Sequence, residues 1–217
     1  VKANAYGHGL VKIAKILQEE NVKGGCVATI NEVRELLDAK ISFSILHLGK
    51  ISYSNIDLYN NNVIATINSI DDVKEIDKLC NNKFKIRAHI KIDTGMSRMG
   101  CNIAEFKNIF KLSMMSDNII VEGIYSHLAN SDIKNEAYNK TQIKLFNEIL
   151  DTLDLRKYNL KIHLLNSGGL FNFKDLKYDI IRSGIAVYGI SPLGFPHKKL
   201  KPVMTLKAPV VLNKKIN

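Results

Sequence analysis

The 217-residue sequence predicts an α/β fold, a (β/α)8 barrel of the TIM type, truncated at its N-terminus and missing a C-terminal β-domain. Three observations predict it. Eight short apolar runs stand in alternation with amphipathic stretches, the pattern of repeated βα units. No G-x-G-x-x-G follows the first run, which argues against an open doubly wound sheet. All four prolines, Pro192, Pro196, Pro202 and Pro209, lie after residue 190, where the character of the chain changes.

The strands are expected at 25–29, 43–48, 63–67, 86–92, 121–126, 162–165 and 178–181, preceded by the tail of a first strand ending at Lys2. These runs are short and mostly apolar, as strands buried on both faces should be. Helices are expected at 10–20, 30–39, 71–80, 103–115 and 136–153. The first carries Leu10, Ile13, Ala14 and Leu17 at helical spacing. Thr29 is a candidate N-cap for the second, and Asp71 and Asp72 favour the start of the third. Residues 1–190 thus read as the barrel. Residues 193–201 read as a linker and 203–212 as a strand, so 191–217 is expected to be a linker and the first strand of a further domain. A lone strand does not hold itself in water.

Composition narrows the function classes. The chain is 46% hydrophobic and 24% charged, with a net charge of +10. Its lysines (Lys12, Lys15, Lys74, Lys78, Lys107 and Lys111 among them) are scattered between apolar residues as on solvated helix faces, and no nucleic-acid-binding motif accompanies them. No nucleic-acid partner is expected. No apolar run reaches 18 residues, so no membrane span is expected. The first residue is Val1, and no basic-plus-apolar leader precedes the first strand. Three cysteines without C-x-x-C spacing favour free thiols and a cytoplasmic setting. The six histidines show no metal-ligand spacing, and no metal is expected.

In such a barrel the chemistry gathers at the C-terminal ends of the strands. The first end carries Val1-Lys2-Ala3-Asn4-Ala5-Tyr6-Gly7-His8-Gly9. A lysine among small and apolar neighbours loses its proton more readily than a solvated one, as Schiff-base chemistry requires; a surface lysine beside a turn fits the same letters. Arg98, in Asp93-Thr94-Gly95-Met96-Ser97-Arg98, can grip a carboxylate through two parallel hydrogen bonds or serve in a surface ion pair. His127 follows an apolar run and is either functional or a hydrogen-bonded structural residue. Asn166-Ser167-Gly168-Gly169 suits a phosphate or a plain turn. Arg182 ends an apolar run, where a buried guanidinium is costly unless paired.

Taken together, these five segments resemble the alanine racemase family of pyridoxal-phosphate (PLP) enzymes, over nearly the whole chain and in the family's order. The resemblance implies that Lys2 binds PLP covalently and acts as one base. It implies that Tyr6, Ser167, Gly184 and Ile185 bind the cofactor phosphate, and that Leu48 and His127 lie beside the cofactor. Arg98 would hold the substrate carboxylate, and Lys91 would be the lysine that many members carbamylate. Arg182 would face the pyridine nitrogen. Lys2, Arg98, His127 and Arg182 are the implied catalytic set. The implied reaction is racemisation of L-alanine to D-alanine for cell-wall peptidoglycan, in a homodimer whose partner contributes a second base, a tyrosine, from its C-terminal domain. This chain alone is then expected to turn over little or not at all. Lys50 and the pair Gly168-Gly169 depart from the commoner family residues.

The alternatives are a serine racemase of the same family, a non-catalytic PLP-homeostasis barrel, and a decarboxylase of related fold. An arginine at 182 counts against the last, which pairs the ring nitrogen with an acid. Arginine is a donor only, so it leaves that nitrogen unprotonated and the cofactor a weaker electron sink, which suits simple proton exchange at Cα.

Overall fold

The computed structural model describes residues 1–60, 62–133 and 137–215. Six parallel strands form its centre: β1 (Gly24–Val27), β2 (Ser44–His47), β3 (Val63–Ile67), β4 (Ile86–Lys91), β5 (Ile119–Tyr125) and β6 (Lys161–His163). They pair in chain order, β1-β2-β3-β4-β5-β6. Parallel neighbours require a crossover, and helical segments fill the connections.

A left-handed turn, α1 (Lys2–Tyr6), leads into α2 (Leu10–Glu19); α3 (Ile30–Asp38), α4 (Ile70–Cys80), α5 (Ile103–Met115), α6 (Ala137–Thr152) and the short α7 (Ser167–Asn172) follow. Glu136, expected to open the fifth helix, lies outside the described residues. Thr29 and Glu32 close a capping box on α3, and Ser69 and Asp72 do the same on α4, so both helix starts satisfy backbone donors that would otherwise lack partners. Three 3-10 turns, Tyr53–Asn60, Leu155–Lys157 and Ile185–Tyr188, were not expected from the sequence. Each lacks the apolar period of a full helix.

The sheet curls, and side chains reaching across its concave side prove it. Arg87 on β4 meets Ser44 on β2, and His89 on β4 meets His163 on β6, each skipping the strand between. Along β4 the two-residue period sends Ile86, Ala88 and Ile90 to one face and Arg87, His89 and Lys91 to the other. The first set joins the buried apolar core. The second set faces the barrel axis.

Two of the eight expected strands are not regular. Of the first, whose tail alone was expected, Val1 stands before the left-handed turn and its backbone nitrogen donates to Cys26 O at 3.0 Å. The eighth is reduced to single bonds: Asp179 N–H to Ile162 O and Arg182 N–H to Leu165 O, both 2.9 Å, with one bridge between Asn166 and Arg182. The Asp179 carboxylate accepts from Ile162 N–H at 2.8 Å, taking a donor that a continuous ladder would use. The ends still meet, because Tyr6 lies against Gly184.

Residues 203–212 make no ladder with the described residues, and Leu206 is 98% exposed. A strand exists only through its partner's hydrogen bonds. Among the described residues no helix is long and apolar enough to cross a membrane.

Candidate active site

Lys2 stands on a left-handed turn, not at a strand end as expected. Ala3, Asn4, Ala5 and Tyr6 all have φ between 52° and 55°. Each such residue costs roughly 1–2 kcal/mol relative to the right-handed form, so the segment persists only if it is held. Gly7 and Gly9 continue at positive φ, 85° and 96°, where glycine alone is unstrained. Asn4 Oδ1 accepts from Leu10 N–H at 2.8 Å. His8 Nδ1 faces two carbonyls, Ala5 O at 3.0 Å and Tyr6 O at 3.2 Å, so that nitrogen carries a proton. The turn stacks Lys2 near Tyr6, with Nζ 4.9 Å from the ring centroid.

Tyr6 reaches over to the far end of the barrel. A Cβ on Gly184 would sit 2.4 Å from Tyr6 Oη, so a side chain there would push the tyrosine hydroxyl from its place. Gly184 N–H and Ala186 N–H donate to Ser167 Oγ at 2.9 and 3.3 Å, and Ser183 Oγ is 3.4 Å from the same oxygen. Ile185 opens a 3-10 turn, where an N–H has no carbonyl partner within the turn. Three hydroxyls and a run of amides therefore meet in one corner. Ser183 was not singled out from the sequence; a serine beside an arginine gives no signal until the chain folds.

Arg182 is the hub. Nη2 donates to Ser126 O at 2.6 Å and Leu164 O at 3.2 Å and faces His127 Nδ1 at 3.2 Å. Nη1 makes a short hydrogen bond to His163 Nδ1, and the guanidinium lies 4.9 Å over the Tyr125 ring. Arginine can only donate, so His163 Nδ1 must accept and its proton sits on Nε2. That proton points at His89 Nδ1, 2.8 Å away, which must accept in turn. One guanidinium thus sets the tautomers of two buried imidazoles. Tyr125 completes the layer: its ring stacks on His163 at 4.7 Å, and its Oη lies 2.9 Å from Thr66 Oγ1, whose own proton goes to His47 O. His89 and His163 had no assigned role in the sequence. The available signal was that His89 shares the face of Lys91, two residues on.

Lys91 is buried, 5.7 Å from the Tyr125 ring centroid. Burial pushes its amine down to about 8, and the charges of Arg98 and Arg182 add to this. Arg98 is exposed. Its loop is shaped by Asp93 Oδ1, which accepts from Gly95 N–H and Ser97 N–H at 2.8 and 3.1 Å. The fully buried Gln142 ties this loop to the histidine segment. Its Oε1 accepts from Ala129 N–H at 2.9 Å, and its Nε2 donates to His127 O at 3.0 Å and Thr94 Oγ1 at 3.4 Å. Sequence reasoning missed it, since a mid-helix glutamine usually faces water.

His127 lies beside Arg182 at this end of the barrel. Burial pushes its imidazole down to about 3, and the charges of Arg182, Arg98, Lys91 and Lys2 all push the same way. Of these cations Arg182 touches the ring, 3.2 Å from Nδ1, and the field at this end of the barrel is positive, which favours an anion. Leu48 ends the run after β2 at the same barrel end, its N–H on Val27 O at 2.8 Å, but no hydrogen bond joins it to the others. Among the described residues there is no group of metal-binding side chains.

Buried neutral histidines make stability fall in acid. His89, like His127, is held down to about 3, first by burial and then by Arg182, below the 6.5 of an unfolded histidine. A lowered folded value gives stability that is present above 6.5 and is lost as pH falls from 6.5 towards 3. Between pH 7 and pH 5, His89 alone is expected to cost about 2 kcal/mol. Urea melts of the full-length protein at the two pH values, with His89→Phe as control, read this.

Comparison with known proteins places the arrangement. The profile described as "Alanine racemase, N-terminal domain" matches residues 1–192. The chain is 37% identical to alanine racemase 1 of Clostridium acetobutylicum, over 100% of this chain and 58% of that protein. It is 34% identical to the alanine racemase of Lactobacillus acidophilus, over 96% of this chain and 57% of the relative. Among solved structures, the Clostridium difficile alanine racemase in complex with cycloserine superposes with a TM-score of 0.86 at 31% identity, covering 93% of this chain and 57% of that one. The Bartonella henselae alanine racemase, described with covalently bound pyridoxal phosphate, gives 0.81 at 31% identity over 93% and 58%. The chain therefore spans a little over half the length of the relatives it matches. Its curled parallel sheet, its match over 192 residues and its identity to these proteins make it a member of the alanine racemase N-terminal domain family.

Proposed function

We propose that the protein carrying this chain is a PLP-dependent alanine racemase. The observation that carries the reading is one barrel end where Arg182 meets His127 and lies with the buried Lys91 over Tyr125, and where Tyr6, under Lys2, reaches the corner of hydroxyls and amides at Gly184. The residues fit PLP. Around Gly184, the N–H groups of Gly184 and Ala186, now donated to Ser167 Oγ, and that of Ile185, at the start of its 3-10 turn, lie beside the Tyr6, Ser167 and Ser183 hydroxyls, where a phosphate would take them over. That donor set carries no counter-charge of its own and suits a phosphate dianion.

When bound, PLP supplies an aldehyde carbon for an amine and a conjugated ring that spreads negative charge from Cα. The chain's own residues do the rest. The Lys2 amine holds the cofactor and takes or returns the proton at Cα on one face. Tyr6, Ser167, Gly184 and Ile185 hold the phosphate, while Leu48 and His127 line the cofactor's side. The Arg98 guanidinium holds the substrate carboxylate. Arg182 presents only donors to the ring nitrogen and is locked by its four partners. Lys91, uncharged in part near neutrality and surrounded by arginines, is the site for carbamylation, which would turn a cation into an anion that orients Arg98.

The second base is a tyrosine of a partner subunit's C-terminal domain in a homodimer, and residues 191–217 lead into that domain. Three free cysteines support a cytoplasmic location. The product, D-alanine, supplies peptidoglycan.

The test is deuterium uptake at Cα of L-alanine by the full-length protein with PLP in heavy water, followed by NMR. D-alanine carrying one deuterium is the expected product. Faster exchange of L-serine makes it a serine racemase, PLP binding without exchange makes it a carrier, and release of carbon dioxide makes it a decarboxylase.

A further inference from the structure

We propose that Glu32 is a positioning residue whose carboxylate clamps the left-handed turn carrying Lys2 and Tyr6 onto the end of β1. The turn is a run of four strained residues, stabilised on its C-terminal side by Asn4 Oδ1 accepting from Leu10 N–H, the first residue of α2, and by His8 Nδ1 on the carbonyls of Ala5 and Tyr6. Those bonds shape the turn but do not fix it to the barrel. Val1 does so at the turn's start, through Cys26 O. At the turn's end the Tyr6 ring packs against Tyr188 and Gly184; in its middle, Glu32 supplies a hydrogen bond from the barrel. Its Oε1 accepts from Asn4 N–H at 3.2 Å, 28 residues away in sequence. Its Oε2 accepts from Ala28 N–H at 2.8 Å and Thr29 N–H at 3.2 Å.

One carboxylate therefore does two things. As the third residue of α3 it completes the capping box with Thr29. With its other oxygen it holds a backbone N–H in the middle of the lysine turn. A helix cap alone needs only the bond to Thr29 N–H; the bond to Asn4 is extra and reaches a segment the cap does not involve. Although burial would raise the carboxyl, the backbone donors of Ala28, Asn4, Thr29 and Ala3 hold it below its usual range, so it is an anion at neutral pH, and bonds to an anion are the stronger kind.

This inference rests on the reading of Lys2 as the residue that carries the cofactor, and the two can fail separately. The experiment compares Glu32→Gln and Thr29→Ala in the full-length protein with PLP. Both weaken the start of α3, but only the first removes the charged acceptor of Asn4 N–H. For Glu32→Gln, amide hydrogen exchange in residues 2–7 is expected to rise at least 10-fold and PLP affinity to fall about 10-fold. For Thr29→Ala, exchange in 2–7 and PLP affinity are expected to stay within 2-fold of wild type. If Glu32→Gln does not fold, Glu32→Asp replaces it; the shorter side chain keeps the charge and cap but cannot span both segments, and the same changes are expected.

Wild-type exchange in 2–7 for the folded Glu32 variant overturns the clamp. Equal changes in both variants also overturn it, since they would mark a general effect of the helix start. Faster exchange in 2–7 with PLP binding unchanged leaves the clamp but detaches it from the cofactor, and so overturns the positioning role. A wild-type protein that binds no PLP, with the exchange difference intact, refutes the cofactor reading and leaves the clamp standing as a structural contact only.

Discussion

Replacing Lys2 by alanine is expected to remove the visible absorbance band that PLP gives when linked to a lysine, and to cut alanine racemisation by the full-length protein at least about 10⁴-fold. One amine serves both as the point of attachment and as a base, so both contributions vanish together. Lys91 is the natural competitor. It is buried at the same end of the barrel, and its amine, held down to about 8, is partly unprotonated and so nucleophilic at neutral pH. Position separates the two. Lys91 lies over Tyr125, in the layer of Arg182 and His163. Lys2 stands on the turn whose tyrosine reaches the Gly184 corner. Lys91→Met should therefore keep the band while Lys2→Ala loses it. The reverse pattern would exchange their roles.

Arg182→Met is expected to lower stability by about 3 kcal/mol and to raise the ionisation of the surrounding histidines. The guanidinium satisfies Ser126 O, Leu164 O and His163 Nδ1. Each buried acceptor left without a donor costs roughly 1–3 kcal/mol, partly offset by removing a buried charge. Arg182 also ranks next after burial among the causes holding His89, His127 and His163 down. Without it, His127 should titrate closer to 6.5, and His163 can move its proton to Nδ1, releasing His89. Urea melts give the first effect, and NMR of ¹⁵N-labelled histidine gives the second. Arg182→Lys should recover little, because an ammonium cannot address His163 and two carbonyls with one planar fork. An unchanged histidine spectrum in Arg182→Met would remove the arginine from its place as hub.

Much of the barrel was legible from local pattern. Five helices begin within a few residues of where apolar spacing and caps placed them, and six strands fall on the expected runs. Thr29 caps α3 because a side-chain oxygen at that position meets nearby N–H groups whatever the rest of the chain does. The eighth strand was overdrawn, since an apolar run does not disclose whether a neighbour will offer a full ladder. The turn at 3–6 was hidden for a related reason: alanine, asparagine and tyrosine have no local preference for left-handed backbone strong enough to announce four in a row.

By itself, then, the sequence determined the alternation of strands and helices and the family to which the strings around Lys2, Arg98, His127 and Arg182 belong. Only the tertiary structure decided which groups touch. The contacts that orient the site, Arg182 to His163 to His89, Glu32 to Asn4 and Gln142 between two loops, join residues 13 to 74 positions apart. Such pairings follow from the curl of the sheet, which brings strands that are not neighbours face to face across one axis, and no local rule of spacing contains that curvature.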